Sequence, residues 1–297
     1  MSSAHITFDT TGDKIARRVR KMRPSAVRNL FAAATRDDVI SLSGGMPAVS
    51  LLPVEDVRRA TLAAIETERA RAVSLQYGPT DGLAGLRAVL ADMMRDLGFR
   101  VKADQILVTS GAQQALTLIA EAFIDPGDII ITEGPTYLGA LQAFSAFEPD
   151  VRAIPFDDEG MRMDLLEAEL KRIGKNNPRL KFCYTIPNFQ NPGGVTMTAE
   201  RRRRLLELAA EYNFMVVEDD PYGRLRYDGG HQVPLKAMDD SVIYLGTISK
   251  MLGPGLRTGW VAAPEAVLAR INLVKQGADL CGSAFDQLIV QHYFADI

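Results

Sequence analysis

The stretch ILVTSGAQQALTLIAEAFIDPGDIIIT, residues 106–132, decides the fold class. Residues 106–109 are β-branched and apolar and predict a strand. Residues 113–123 repeat apolar positions at helical spacing and predict a helix. The triplet Pro126-Gly127-Asp128 is a turn, and residues 129–132 are a second strand, apolar on both faces. Strands without a polar face, alternating with helices, belong to a mainly parallel sheet covered on both sides. The pattern recurs downstream. Strands are predicted over 151–155, 180–185, 214–218, 242–245 and 259–262, and helices over 138–147, 163–173 and 198–212.

The first hundred residues read as mostly helical. One helix is expected from Pro53, as its first residue, to about Arg71, and another over 82–97. We divide the chain into an N-terminal segment, residues 1–40, and a large α/β domain, residues 41–297. The sequence closes on Asp296-Ile297 inside a helical pattern, so a further C-terminal domain is expected beyond it.

Composition narrows the function classes. Of 297 residues, 47% are hydrophobic and 24% charged, which supports a sizeable core and excludes disordered and collagen-like chains. The formal net charge of −3 gives no global reason to expect nucleic-acid or anionic-membrane partners. Cys183 and Cys281 are far apart, and His5, His231 and His292 are scattered, so neither a disulfide framework nor a metal set is expected. No apolar run reaches the roughly 20 residues of a membrane span, and no leader-like apolar run opens the chain. A cytoplasmic protein is expected. The basic run Lys14–Arg28 reads as a solvated helix face.

Four motifs carry chemistry. Thr109-Ser110-Gly111-Ala112-Gln113-Gln114 joins a strand to a helix, whose first-turn N–H groups can cradle a phosphate. Pro187-Asn188-Phe189-Gln190-Asn191-Pro192-Gly193-Gly194 is a loop that, taken alone, reads first as a structural turn and second as a place for an amide at the mouth of the sheet. Val216-Val217-Glu218-Asp219-Asp220-Pro221-Tyr222 ends a strand in three acids, of which at least one is expected to be solvated and a buried one to need a cation. Thr247-Ile248-Ser249-Lys250 follows a strand. Lys250 stands among small and apolar residues, where burial and nearby Arg257 are expected to lower its pKa and favour a nucleophilic amine. Gly253-Pro254-Gly255 only imitates a dinucleotide fingerprint, since it follows no strand directly.

In this order on one sheet, the motifs resemble the fold-type-I pyridoxal-phosphate (PLP) enzymes, specifically the class I/II aminotransferases. The 2-aminoadipate/kynurenine aminotransferase branch, which includes the PLP domains of MocR-type regulators, is the nearest in look. The resemblance covers about residues 41–276. It rests on SGGMP at 43–47, LQYGPTDGLAGLR at 75–87, TSGAQQAL at 109–116, GPTYLGAL at 134–141, NFQNPGG at 188–194, VVEDDPY at 216–222 and TISKMLGPGLRTGW at 247–260.

The resemblance implies a large domain like that of aspartate aminotransferase, with a sheet of the seven-stranded type, and an incomplete small domain to which residues 1–40 contribute along with the substrate cleft. It implies that Lys250 holds PLP as an internal aldimine and shuttles a proton. Asp219, three before Tyr222, would pair with the pyridinium nitrogen, with Asp220 the competing choice. Tyr222 and Asn191 would bond the phenolate oxygen, and Tyr137 would stack on the ring. Ser110, Gly111 and the N–H groups of Ala112 and Gln113, with Ser249 and Arg257, would bind the phosphate. Tyr77 would reach the cofactor of a partner subunit, implying a homodimer with shared sites. Gly45 would lie near the substrate carboxylate, and Arg28 could meet a distal one. The arginine that pairs with the α-carboxylate in this family lies beyond Ile297, so the chain is expected to be C-terminally truncated.

The implied activity passes the amino group of an α-amino acid to a 2-oxo acid such as 2-oxoglutarate by a ping-pong route. Rivals are a PLP-dependent lyase or decarboxylase on the same scaffold, and a PLP-binding regulatory module without turnover. About 40 residues precede SGGMP, too few for a DNA-binding domain with its linker, which disfavours the last.

Overall fold

The computed structural model describes residues 14–20, 22, 38–40, 46–230 and 232–295. Eight strands form one sheet: β1 (Ile106–Thr109), β2 (Ile129–Gly134), β3 (Asp150–Asp157), β4 (Gly160–Met161), β5 (Leu180–Thr185), β6 (Met215–Asp219), β7 (Ile243–Thr247) and β8 (Gly259–Ala262). Their order is β1-β8-β7-β6-β5-β2-β3-β4. The run β7-β6-β5-β2-β3 is parallel. β8 lies antiparallel to both β1 and β7, so those two point the same way. The C-terminal ends of β1, β2, β5, β6 and β7 therefore share one edge.

The α/β expectation holds, with an eighth strand added to the seven-stranded type. β4 is two residues long and pairs antiparallel with the end of β3. It is too short for a periodic signal.

Side chains alternate between two interiors along each strand, as the pleat requires. Leu107, Ile130, Phe182, Tyr184, Val217, Leu245 and Val261 face a core completed by the helices Ala112–Phe123, Leu138–Ser145 and Glu265–Ala278. Ile129, Ile131, Cys183 and Val216 face the opposite side, against the helices Met163–Ile173 and Ala199–Tyr212. On that side, towards the β1 edge, Ile106, Val108, Tyr244 and Trp260 pack on helix Ala84–Arg95. No helix among the described residues is long and apolar enough to cross a membrane.

The N-terminal helices depart from expectation. Pro53 is the cap residue of helix Val54–Ala63, not its first member. The helix does not reach Arg71. Thr67 takes extended backbone, and its side chain accepts from Ala70 N–H at 3.0 Å, starting a separate helix, Glu68–Ser74. A hydroxyl cap competes with continued helix and ends it here. Gly82 has φ +97°, outside any helix, so the next helix is Ala84–Arg95 and not 82–97.

Candidate active site

Five strand ends and one strand start meet at the shared edge. The turn after β1 is made of backbone. Gly111 caps helix Ala112–Phe123 at φ +78°, and no side chain caps that helix. The amides of Ala112 and Gln113, in its first turn, have no intrahelical acceptor. Ser110 N–H is used elsewhere: it donates to Gln114 Oε1 at 2.7 Å, and Gln114 Nε2 donates to Asp279 Oδ2 at 2.6 Å. Arg257 reaches the turn from the opposite side, its Nη2 donating to Ser110 O at 3.2 Å. A Cβ on Gly111 would force the end of that guanidinium to shift, and the positive φ itself favours glycine here. Ser249 sits alongside, its N–H donating to Thr247 Oγ1 at 3.1 Å and its hydroxyl 2.9 Å from the same oxygen.

The end of β6 is made of buried carboxylates. Glu218, Asp219 and Asp220 are 0%, 4% and 7% exposed, so none of the three is solvated, contrary to the sequence-based expectation. Each is held differently. Glu218 accepts the N–H groups of Leu235 (2.9 Å) and Lys236 (2.8 Å) and lies 3.9 Å from the fully buried guanidinium of Arg202. Asp220 needs no direct ion pair. Its Oδ1 accepts Asn188 Nδ2 at 2.9 Å and Gly223 N–H at 3.0 Å, and its Oδ2 accepts Tyr244 OH at 3.3 Å. Asp219 Oδ2 accepts Tyr184 OH at 2.7 Å, while Oδ1 is buried with no hydrogen-bond partner. Burial first, and the neighbouring Asp220 charge second, push the Asp219 carboxyl up to about 7.

Aromatic and amide groups surround Asp219. Asn191 Nδ2 is 3.5 Å from Tyr222 OH. Lys250 Nζ lies 5.9 Å from the centroid of the Tyr222 ring. Burial lowers the pKa of Lys250; Arg257 is not among the causes, which corrects that part of the expectation. Tyr137 is pushed up by burial and then by the Asp219 charge, with Arg257 opposing, so all three share one field. Its hydroxyl is 3.4 Å from Gln113 Oε1.

The residues fit a cofactor with an anionic group and a protonated ring nitrogen. A buried carboxylate oxygen without a partner is a place for a cationic N–H. Two first-turn amides beside an arginine are a place for an anion.

A model of the family described as aminotransferase class I and II matches residues 37–290. The chain belongs to this family. It is 50% identical over 275 residues to aromatic-amino-acid aminotransferase 1 of Thermococcus litoralis, covering 92% of this chain and 66% of that one. It is 38% identical over 275 residues to the 2-aminoadipate transaminase of Thermus thermophilus, covering 91% and 66%. The structure of Pyrococcus horikoshii kynurenine aminotransferase, solved in complex with PMP, superposes with a TM-score of 0.90 at 43% identity, covering 97% of this chain and 72% of that one. The chain spans about two thirds of the length of these curated relatives.

Within this aminotransferase-family chain, the fold brings together Ser110, Gly111, Ala112, Gln113, Tyr137, Asn191, Asp219, Tyr222, Ser249, Lys250 and Arg257. It does not bring Tyr77 in, whose side chain points to solvent at 80% exposure. Gly45 and Arg28 lie outside the described residues.

Sequence reasoning missed Tyr184, Glu133 and Arg202. Tyr184 carries a hydroxyl within the buried run Phe182–Thr185, which is itself a signal. Glu133 ends β2 as Glu218 and Asp219 end β6, and the same reading would have found it. Arg202 falls on the helix face of Leu205, Leu208 and Ala209, so one arginine of the run 201–204 had to point inward.

Proposed function

We propose that the chain is the cofactor-binding part of a PLP-dependent aminotransferase, moving the amino group of an α-amino acid to a 2-oxo acid such as 2-oxoglutarate by a ping-pong mechanism. One observation carries the reading: the buried Oδ1 of Asp219, which has no hydrogen-bond partner, beside Tyr222, whose ring centroid lies 5.9 Å from the Lys250 amine.

Asp219 would hold a ring N–H through Oδ1, its charge favouring the protonated ring, while Tyr184 fixes the other oxygen. Ala112 N–H, Gln113 N–H, Ser249 and Arg257 would hold the phosphate, with Ser110 and Gly111 shaping the turn. Asn191 and Tyr222 would bond the ring oxygen, and Tyr137 would cover the ring face. PLP, when bound, supplies the electron sink for a carbanion at the substrate α-carbon. Lys250, its ammonium disfavoured by burial, would attach the cofactor and carry the proton at that carbon. In this reading residues 41–297 form the PLP domain and residues 1–40 contribute to the cleft, where Gly45 and Arg28 would meet substrate. Tyr77 would reach a partner's phosphate in a cytoplasmic homodimer, which its exposure suits.

The test is borohydride reduction of the PLP-loaded chain, followed by peptide mapping and a screen of amino donors. Label on Lys250 and conversion of donors to 2-oxo acids are expected. Label on another lysine would overturn the assignment. Label on Lys250 with eliminated or decarboxylated product would favour a lyase, and label without any turnover a regulatory module.

A further inference from the structure

We propose that Glu133 is a positioning residue that ties the two loops carrying Tyr137 and Asn191 to a single carboxylate. The proposal rests on the aminotransferase reading only for what those loops do; the clamp itself consists of hydrogen bonds within this chain.

Glu133, the penultimate residue of β2, is 2% exposed. Three donors converge on it. Thr185 Oγ1 donates to Oε1 at 2.6 Å, and Ile186 N–H and Gln190 Nε2 donate to Oε2 at 3.2 and 3.1 Å. Thr185 and Ile186 are the end of β5, so one carboxylate ties two neighbouring strand ends together. Gln190 extends the tie in two directions. Its Nε2 also donates to Pro135 O at 2.9 Å, in the turn that leads to Tyr137. Its Oε1 accepts Gly193 N–H at 2.7 Å, closing the loop around Asn191.

Every partner of Glu133 is a donor, so the ionised carboxylate matches the arrangement and a protonated one must give up an acceptor. Among the described residues no lysine or arginine forms an ion pair with it, in contrast to Glu218 with Arg202. A buried acid without a cation is costly, and burial holds this carboxyl at about 7. Well-packed apolar residues would stabilise the spot at least as well. What they could not do is fix three donors from the end of β5 and the loop after it at one point. The neighbouring amide, Asn188, serves a separate network, donating to Asp220 and accepting from Arg202. Of the three amides in NFQNPGG, Asn191 alone faces Tyr222. Its placement is set by the two that do not.

Two variants test this. Glu133→Gln keeps the shape but sets an NH2 against donors. Gln190→Ala removes the bridge and leaves the carboxylate with Thr185 and Ile186. Backbone hydrogen exchange is measured on the cofactor-free chain by mass spectrometry. Amides of residues 189–195 and 136–139 should exchange about tenfold faster together, while residues 110–114 keep their protection. A change confined to 189–195, no change, or a rise spread over the whole sheet would overturn the proposal. If Glu133→Gln does not fold, Gln190→Ala decides.

A second readout uses the PLP-loaded chain. Both variants should raise the pH at which its visible absorption titrates, because Asn191 and Tyr222 then stabilise the ring phenolate less. An unchanged titration in variants with loosened loops would overturn the positioning role. Absence of borohydride label in the unsubstituted chain would defeat the aminotransferase reading and leave the exchange result to judge the clamp.

Discussion

The turn after β1 and the end of β6 lie at one edge of the sheet and are built in opposite ways. The turn offers backbone amides, a glycine and a guanidinium that arrives from the start of β8. The end of β6 offers carboxylates taken out of water. A site made of backbone depends on main-chain conformation and tolerates many side chains. A site made of buried charge depends on each partner, because an uncompensated charge in a low-dielectric interior has no water to fall back on. The neighbours Asp219 and Asp220 repeat the lesson within one strand end. Asp220 is saturated by Asn188, Gly223 and Tyr244, whereas Asp219 has one oxygen held and one open. Adjacent identical residues thus divide into one that supports the loops and one that can receive a ligand.

The largest expected effect separates those two aspartates. On the proposed reading, Asp219→Asn should lower transamination at least about 100-fold, since it removes the charge that would face the ring nitrogen. Asp220→Asn should cost far less, because an amide oxygen can still accept from Asn188 and Gly223 while its NH2 meets the Tyr244 oxygen. Half-reaction rates on both variants check this, and the reverse order would exchange the assignments. The backbone turn should show a smaller and different response. Gly111→Ala places a Cβ at φ +78° and against Arg257, and should destabilise the chain by about 1–3 kcal/mol and weaken PLP binding. Urea unfolding and a PLP titration measure the two effects, and an unaltered affinity would argue against this turn as the phosphate site.

The smallest effect is the response of stability to pH. Burial raises Glu133 and Glu218 from 4.5 to about 7, and Asp219 from 3.8 to about 7. Each binds its proton more tightly in the folded chain than in the unfolded one. The folded state therefore carries more protons between about pH 4 and 7, and stability falls as pH rises through that window. The Tm of the cofactor-free chain should drop between pH 5 and 8. Asp219→Asn should flatten part of the drop, and Tyr184→Phe should leave the drop in place, since it removes a hydrogen bond that favours the Asp219 anion. A Tm that climbs over the same range would contradict the burial of these acids.

Much of the fold was legible because its strands are apolar on both faces. Residues 106–109, 180–185 and 259–262 were bounded as the structure has them, since each ends at a polar or small residue that starts a turn. The break before Thr67 was not legible. It turns on whether one hydroxyl caps a helix or lies on its surface, and tertiary packing decides that. At the site, strand ends marked where chemistry could sit, while the choice of Asp219, Tyr222, Asn191 and Lys250 came from the resemblance and, for Asp219 over Asp220, from its spacing to Tyr222. What the sequence could not supply was satisfaction: Asp219 and Asp220 differ in which donors fold onto them, and those donors come from β5, β7, the loop at 188–194 and the turn at Gly223. Glu133 has the same strand-end signal, but its role as a clamp was not legible because its partners lie more than fifty positions away.

The single antiparallel strand inside the sheet also works as a ruler. Gly259 is paired with Thr109 on one side and Thr247 on the other, so Arg257, two positions earlier, is indexed against the last rung of both neighbours. A slip of one residue would turn Trp260 and Val261 to the wrong interiors. A slip of two would restore their sides but carry the guanidinium about 7 Å from the turn it serves. Length changes in residues 251–255 can be absorbed upstream of that index. An insertion or deletion between Arg257 and Ala262 has no harmless outcome, because it displaces either the guanidinium or the inward faces of β8.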